Sequence, residues 1–273
     1  MQKDAILKAP FLIDICRLTD NMYRLGWDER NGGNISLIVP KEEAARYVDP
    51  AKSLRNIPMT FDASALKGMI FLVTGTGCYF KNISYAPDVN LGLIQVAEDG
   101  KSYDILWGFS EGGRPTSELS SHFMSHIERL RVDPEHRIVI HTHATNVLAM
   151  TFVHDLSERA FTRTLWQMCT ECLVVFPDGV GILPWMLCGN DGIGIATAEK
   201  MREYRLVVWA HHGIFGTGTS IDEAFGLIET VEKAAEIYIK VMNTPILQTI
   251  RDDELAVLAE AFRVTPKAGY LEA

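Results

Sequence analysis

The chain has 273 residues, 47% of them apolar and 22% charged, with a formal net charge of −9. That composition suits a globular protein whose core is large enough to fold without disulfides. Net acidity without a lysine or arginine cluster excludes a binder that neutralises nucleic-acid phosphates, so any anionic ligand must be met by local donors.

No secretory signal is read in the first 25 residues, because Asp14, Arg17 and Asp20 interrupt the apolar run and no small-residue cleavage site follows. Ile13, Cys16, Met22 and Leu25 instead mark a helical face closed by Gly26. Residues 34–39 alternate as a strand, and the polar stretch 40–67 reads as a surface excursion. A short apolar strand over 69–73 runs into Thr74-Gly75-Thr76-Gly77, and another strand covers 103–107. Leu119, Phe123, Ile127 and Leu130 recur at helical spacing, with Thr116 or Ser117 placed to cap the helix. Strands are predicted over 137–143, 173–176 and 206–209, and a long helix over 221–241 led by Asp222 and Glu223. The most apolar stretch, 172–188, contains Pro177, Asp178, Gly179, Gly181 and Pro184, which break a membrane helix; it reads as strand, turn and strand. With no internal repeat or long linker, residues 1–273 read as a single domain of mixed α/β class. Five unevenly spaced cysteines suit a reducing cytoplasm.

The chemistry concentrates on histidines. Residues 138–143 read as a buried strand ending in His141-Thr142-His143. Strand positions two apart share a face, so His141 and His143 project together and can bind one zinc through neutral imidazole nitrogens. A second apolar strand ends in His211-His212-Gly213. Adjacent strand residues face opposite ways, so one of His211 and His212 joins the metal; spacing leaves open which. Three ligands with an open position is the catalytic arrangement of zinc. His122 and His126 sit at the flank of the helical stripe, and His136 and His154 in polar turns, so none is a candidate ligand. Cys169-Thr170-Glu171-Cys172 precedes a predicted strand and has no second pair, so it reads as incidental.

Three stretches could meet an anion. Asn31-Gly32-Gly33-Asn34 enters a strand with paired glycines that can present consecutive N–H groups. Thr74-Gly75-Thr76-Gly77 ends a strand, and lacks the Lys of a P-loop. Pro115-Thr116-Ser117-Glu118 opens a helix with hydroxyls and free N–H groups. Glu118 there could serve as a general base beside a metal.

These pieces together resemble the class II aldolase and epimerase family that acts on sugar phosphates. The resemblance rests on Gly-Trp-Asp-Glu-Arg-Asn-Gly-Gly-Asn at 26–34, Val-Thr-Gly-Thr-Gly at 73–77 and Pro-Thr-Ser-Glu-Leu at 115–119. It continues through His-Thr-His-Ala-Thr-Asn at 141–146, Thr-Glu-Cys-Leu-Val-Val-Phe-Pro-Asp-Gly-Val-Gly at 170–181, and His212-Gly213. It spans nearly the whole chain and is weakest over 40–67 and at the termini.

The resemblance implies a three-layer α/β fold, a central and largely antiparallel sheet flanked by helices on both faces, assembled as a cyclic homotetramer. It implies one zinc per subunit on His141, His143 and His212, with Glu118 as the acid/base. Asn31, Asn34, Thr76, Thr116 and Ser117 would hold the substrate phosphate; Thr76 stands where the family usually has Ser, and keeps the hydroxyl. Glu171 matches a carboxylate that reaches a neighbouring subunit's site. The implied reaction is reversible cleavage of L-rhamnulose 1-phosphate to dihydroxyacetone phosphate and L-lactaldehyde, in L-rhamnose breakdown. The alternatives are L-fuculose-phosphate cleavage or pentulose-phosphate 4-epimerisation with the same site chemistry, and, more remotely, a non-catalytic adducin-like scaffold module. No nucleic-acid or membrane partner is expected.

Overall fold

The computed structural model describes residues 5–271. In chain order its elements are α1 (Pro10–Leu25), β1 (Asn34–Val39), α2 (Lys41–Ala44), β2 (Arg55–Pro58), β3 (Ile70–Thr74), α3 (Phe80–Ile83), α4 (Pro87–Asn90), β4 (Leu91–Val96), β5 (Ser102–Gly108), α5 (Leu119–Val132) and β6 (Ile138–Thr142). They continue as α6 (Thr145–Val153), α7 (Glu158–Met168), α8 (Thr170–Val175), β7 (Gly181–Leu183), α9 (Asp191–Met201), β8 (Leu206–Trp209), β9 (Gly213–Gly218), α10 (Ile221–Val241) and α11 (Asp252–Phe262).

The strands form one sheet in the order β2-β5-β4-β3-β1-β6-β9-β8-β7. Every neighbouring pair is antiparallel except β7 with β8. The largely antiparallel sheet and its covering helices match the expected fold class. Alternation explains how β1 serves both faces. Ile35, Leu37 and Val39 join a large core with α1, α6, α7, α8, α10 and α11. Ser36 and Ile38 point the other way, where Ile38 joins Phe71, Val73, Ile94 and Phe123 of α5. A third cluster on that second face packs Val139, Val207, Trp209 and Phe215 against Ile193 and Met201 of α9.

Several local expectations needed correction. α1 ends as predicted, with Gly26 in the left-handed region at φ 77°. Its buried stripe, however, runs through Phe11, Ile15, Leu18 and Met22, leaving Ile13 and Leu25 about half exposed at 51% and 48%. The Leu-Val-Val-Phe run at 173–176 closes helix α8 instead of forming a strand, with Cys172 and Leu173 buried in the large core. The stretch 172–188 is therefore helix, turn and the short strand β7. The 40–67 excursion is only partly free, because its residues 55–58 extend the sheet edge as β2, pairing with β5. Strand β4 was not anticipated at all; it lies between β3 and β5. Among the described residues no helix is long and apolar enough to cross a membrane.

Candidate active site

At one end of β1 and β6 lies a cleft of about 310 Å³, lined among others by Asn31, Asn34, Thr76, Thr116, Ser117, Glu118, His141, His143 and His212. Every site residue expected from the sequence is there except Glu171.

β6 delivers His141 on the same face as Val139, and β1 pairs Asn34 directly opposite it. The His141 ring stacks on Phe215, centroids 4.4 Å apart and planes within 21°, and lies 5.2 Å from Trp209. Its Nδ1 donates to the Ile214 carbonyl at 3.2 Å, which fixes the tautomer and leaves the Nε2 lone pair free. That Nε2 is buried and has no hydrogen-bond partner among the described residues. His143 sits one residue past β6. Its Nδ1 donates to the Glu29 carboxylate at 3.0 Å, again directing Nε2 inward.

His211 and His212 do separate, but strand alternation is not the reason. Both lie in the tight turn joining β8 to β9, where Trp209 pairs with Gly213 and the His212 N–H bonds the Trp209 carbonyl at 3.0 Å. His211 adopts φ 63°. Its backbone N–H donates to the Thr151 hydroxyl at 3.1 Å and its ring packs on Phe152, away from the cleft. His212 turns inward. Gly213 must follow, since a Cβ there would sit 2.5 Å from the Thr142 carbonyl oxygen and 2.8 Å from the His141 ring.

The three inward rings form a near-equilateral triangle, with centroids 5.3, 5.0 and 5.1 Å apart. Their candidate ligand nitrogens lie within 4.8 Å of one another. Burial holds His141 well below the usual imidazole range and pushes His212 down to about 4, so both are neutral ligands at neutral pH. Neutral imidazoles, one of them buried with an unsatisfied lone pair, are the donor set a divalent transition metal requires. Glu118 faces this triangle, with Oε2 3.7 Å from His141 Nε2 and Oε1 3.9 Å from His212 Nε2. Burial raises its pKa, opposed by a hydrogen bond from the Asn34 amide and by the charge of His143.

The loops carrying Thr76 and Thr116, both at the cleft, are held together. Thr76 N–H bonds the Arg114 carbonyl and Thr116 N–H the Thr74 carbonyl, both at 2.9 Å. Those two backbone donors are therefore occupied, while Thr76, Thr116 and Ser117 bring hydroxyls and Asn31 an amide to the cleft lining. The helix cap also differs from expectation: Glu118 is the N-cap residue of α5, and the Thr116 hydroxyl accepts from the Glu118 N–H at 3.2 Å. Asn34 lines the cleft, but its amide is engaged: Nδ2 donates to Glu118 Oε2 at 2.9 Å and Oδ1 meets His122 Nε2.

The Asn31-Gly32-Gly33-Asn34 turn is braced from behind by Asp28. Gly33 has φ 72°, and a Cβ on it would lie 1.9 Å from Asp28 Oδ1, so only glycine fits. The Thr142 hydroxyl donates to that oxygen at 3.1 Å, and the His143 N–H bonds the Trp27 carbonyl at 2.9 Å. Sequence reasoning gave no role to Asp28, Glu29, Arg30 or Cys188, although the last three line the cleft. The first three sit inside the 26–34 run that carried the resemblance, which was the available signal; Cys188 gave none.

Two expectations fall outside the cleft. Glu171 is exposed on α8, where it accepts a bond from Cys169 Sγ at 2.9 Å. The Cys-x-x-Cys pair begins a helix, contrary to the reading that it precedes a strand, with Cys169 as the N-cap residue of α8. Burial nevertheless raises both thiols, the reverse of the lowered pKa of a reactive Cys-x-x-Cys. His122, His126 and His136 are a further correction, because all three are buried instead of flanking or in exposed turns.

Comparison with known proteins places the chain among relatives of recorded activity. The family described as class II aldolase and adducin N-terminal domain matches residues 13–239. The rhamnulose-1-phosphate aldolase of Listeria monocytogenes serovar 1/2a is 61% identical over 272 residues, covering 99% of each chain. That of Enterococcus faecalis is 60% identical over 268 residues, covering 98% of this chain and 96% of its own. The crystal structure of a sugar-phosphate aldolase from Thermotoga maritima superposes with a TM-score of 0.74 at 28% identity, over 86% of this chain and 97% of that one.

Proposed function

The chain belongs to the class II aldolase family, and from that membership we propose that it cleaves L-rhamnulose 1-phosphate reversibly to dihydroxyacetone phosphate and L-lactaldehyde. The substrate class follows from the two curated relatives, which are rhamnulose-1-phosphate aldolases of nearly the same length. The observation that carries the chemistry is the convergence of three imidazole nitrogens within 4.8 Å on one side of Glu118. A lyase of this kind needs a place for the electron pair released when the carbon–carbon bond breaks, and a group to carry the proton.

We assign the metal to zinc, one ion per subunit, held by His141, His143 and His212; three protein ligands leave coordination open for substrate. Zinc bound there supplies Lewis-acid stabilisation of the charge developing on the carbonyl oxygen. The remaining work falls to the protein. Glu118 carries the proton at the carbon that becomes part of dihydroxyacetone phosphate. Its carboxylate is poised between burial, which favours the acid, and the Asn34 hydrogen bond, which favours the base. His141 and His143 are fixed by Ile214 and Glu29, so each presents Nε2 without reorganising. Asn31, Thr76, Thr116 and Ser117 hold the phosphate, and Arg30 at the rim adds the positive charge that the acidic chain lacks elsewhere in the cleft. Asn34, grouped with the phosphate donors by the resemblance, is assigned to Glu118 because its amide is already committed there.

We further propose a single domain, a homotetramer, and a cytoplasmic setting; the free state of all five cysteines supports the last. In the tetramer, Glu171 would act at a neighbouring subunit's cleft, which accords with its exposure and its distance from its own. The deciding experiment is metal analysis combined with cleavage of L-rhamnulose 1-phosphate, before and after chelation, with L-fuculose 1-phosphate and a pentulose phosphate as competitors. Dihydroxyacetone phosphate should appear fastest from L-rhamnulose 1-phosphate, vanish on chelation and return with zinc. Undiminished activity after chelation, or epimerisation without release of dihydroxyacetone phosphate, would overturn the proposal.

A further inference from the structure

Behind Glu118 runs a line of buried polar groups that the reaction does not touch. Asn34 Nδ2 donates to Glu118 Oε2 at 2.9 Å, and Asn34 Oδ1 meets His122 Nε2. His122 Nδ1 lies 2.7 Å from Ser36 Oγ, which lies 2.8 Å from His126 Nε2. His126 Nδ1 lies 2.8 Å from His136 Nε2. Ser36, His122 and His126 are fully buried and His136 nearly so. β1 supplies Asn34 and Ser36 from alternate positions on one face, and α5 supplies His122 and His126 one turn apart.

One proton arrangement satisfies this line. The Glu118 carboxylate accepts, so the Asn34 NH₂ must face it and the Asn34 oxygen must face His122. His122 therefore carries its proton on Nε2, and its Nδ1 accepts from the Ser36 hydroxyl. Ser36 in turn accepts from Nε2–H of His126, whose Nδ1 accepts from Nε2–H of His136. His136 Nδ1 is left as a bare lone pair, and that atom is buried without a partner among the described residues. An unpaired acceptor there is tolerable where an unpaired N–H would not be. Burial supports the neutral rings, pushing His122 down to about 3 and His136 to about 4.

We propose that Ser36, His122, His126 and His136 are positioning residues: a one-way chain of donors that locks the Asn34 amide with its NH₂ toward Glu118 and so holds the proton-carrying carboxylate in place. Reversing any link would turn the Asn34 oxygen onto the carboxylate, so the chain selects the productive orientation. The functional part rests on the aldolase reading; the proton arrangement does not.

The two are separable by experiment. Histidine-selective ¹⁵N NMR of the metal-loaded protein should find Nε2–H with unprotonated Nδ1 on His122, His126 and His136. A protonated Nδ1 on any of the three would overturn the chain whatever the enzyme cleaves. In turnover, His122→Phe should lower kcat by about 10- to 100-fold, the range for groups that orient a working side chain. KM should stay within about two-fold and metal content should be unchanged. His122→Gln, whose amide can still donate to Asn34, should recover most of the loss. Ser36→Ala removes one hydroxyl without altering packing, and should lower kcat in the same way if the bulkier change disturbs folding. Equal activity of the Phe, Gln and Ala variants, or a loss confined to KM or metal content, would sink the positioning role.

Discussion

The two faces of the sheet are built differently. On one, side chains from α1, α6, α7, α8, α10 and α11 merge with alternate strand residues into a single apolar core. On the other, apolar side chains fall into two separate clusters, one around Phe71 and Phe123 under α5 and one around Trp209 and Phe215 under α9. Between them runs the polar seam of Asn34, Ser36, His122, His126 and His136, with the His126 ring 5.0 Å from Phe71 and the His122 ring 5.6 Å from Phe215. Buried polar atoms without hydrogen-bond partners among the described residues, such as Ser121 Oγ, Ser125 Oγ and Arg129 Nε, also sit on α5. Such atoms cost stability. The second face therefore gives up apolar contact to carry oriented polar groups up to the cleft, and the first face compensates.

The largest effect expected from this contrast concerns stability. Phe161 of α7 is fully buried in the single core, and no residue of α7 lines the cleft. Phe161→Ala should cost about 3–5 kcal/mol of folding free energy, the range for an emptied aromatic site. kcat per folded molecule should be unchanged. Urea denaturation alongside active-site titration would check both; a large loss of kcat in the folded fraction would show that the two faces are not functionally distinct. Seam substitutions should do the reverse, lowering kcat at modest cost in stability.

Acid should reveal the same asymmetry. Burial holds His122 at about 3 and His136 at about 4 in the folded protein, whereas an unfolded histidine titrates near about 6.5. Between those values the unfolded chain binds the extra protons, so stability is complete above about pH 6.5 and falls as the pH drops toward 4. The slope is about 1.4 kcal/mol per pH unit for each such histidine. Denaturation curves from pH 7 to pH 5 should be shallower for His136→Phe by about one proton, and unaltered in slope for Phe161→Ala. Equal slopes in wild type and His136→Phe would mean that His136 is not buried neutral.

What the sequence made legible follows the same division. Alternation marked β1, and short apolar runs marked β3, β6 and β8, because both patterns are local properties of the chain. The histidine pair of the cleft was legible for the same reason: His141 and His143 are two apart. The choice between His211 and His212 was not, since a left-handed residue in a three-residue turn, not a strand, separates them. The strand expected at 173–176 failed because packing in the large core overrode the β preference of its valines. The seam was invisible because its partners are distant in the chain. Ser36 meets His122 and His126 from 86 and 90 residues away, and Glu29 meets His143 from 114. Read locally, His122 and His126 were flank residues of an amphipathic helix; only the register of β1 beneath α5 makes them interior.

The smallest predicted effect lies at the cleft's far wall. The Thr76 backbone N–H is already bonded to Arg114, and Gly75 bridges to Pro115, so the loop's shape does not depend on the Thr76 side chain. Removing the hydroxyl in Thr76→Ala should therefore delete one donor to the phosphate and little else. A hydrogen bond to a charged group is worth about 1.5–3 kcal/mol, and about 1.4 kcal/mol corresponds to ten-fold in affinity. KM for the sugar phosphate should rise by at least about 10-fold with kcat nearly unchanged, since the phosphate is held alike before and during bond cleavage. Inorganic phosphate should weaken as a competitor in parallel, and Thr76→Ser should restore both. A fall in kcat at constant KM would instead move the hydroxyl from the phosphate to the reacting carbon, extending the oriented polar groups of the second face across the whole cleft.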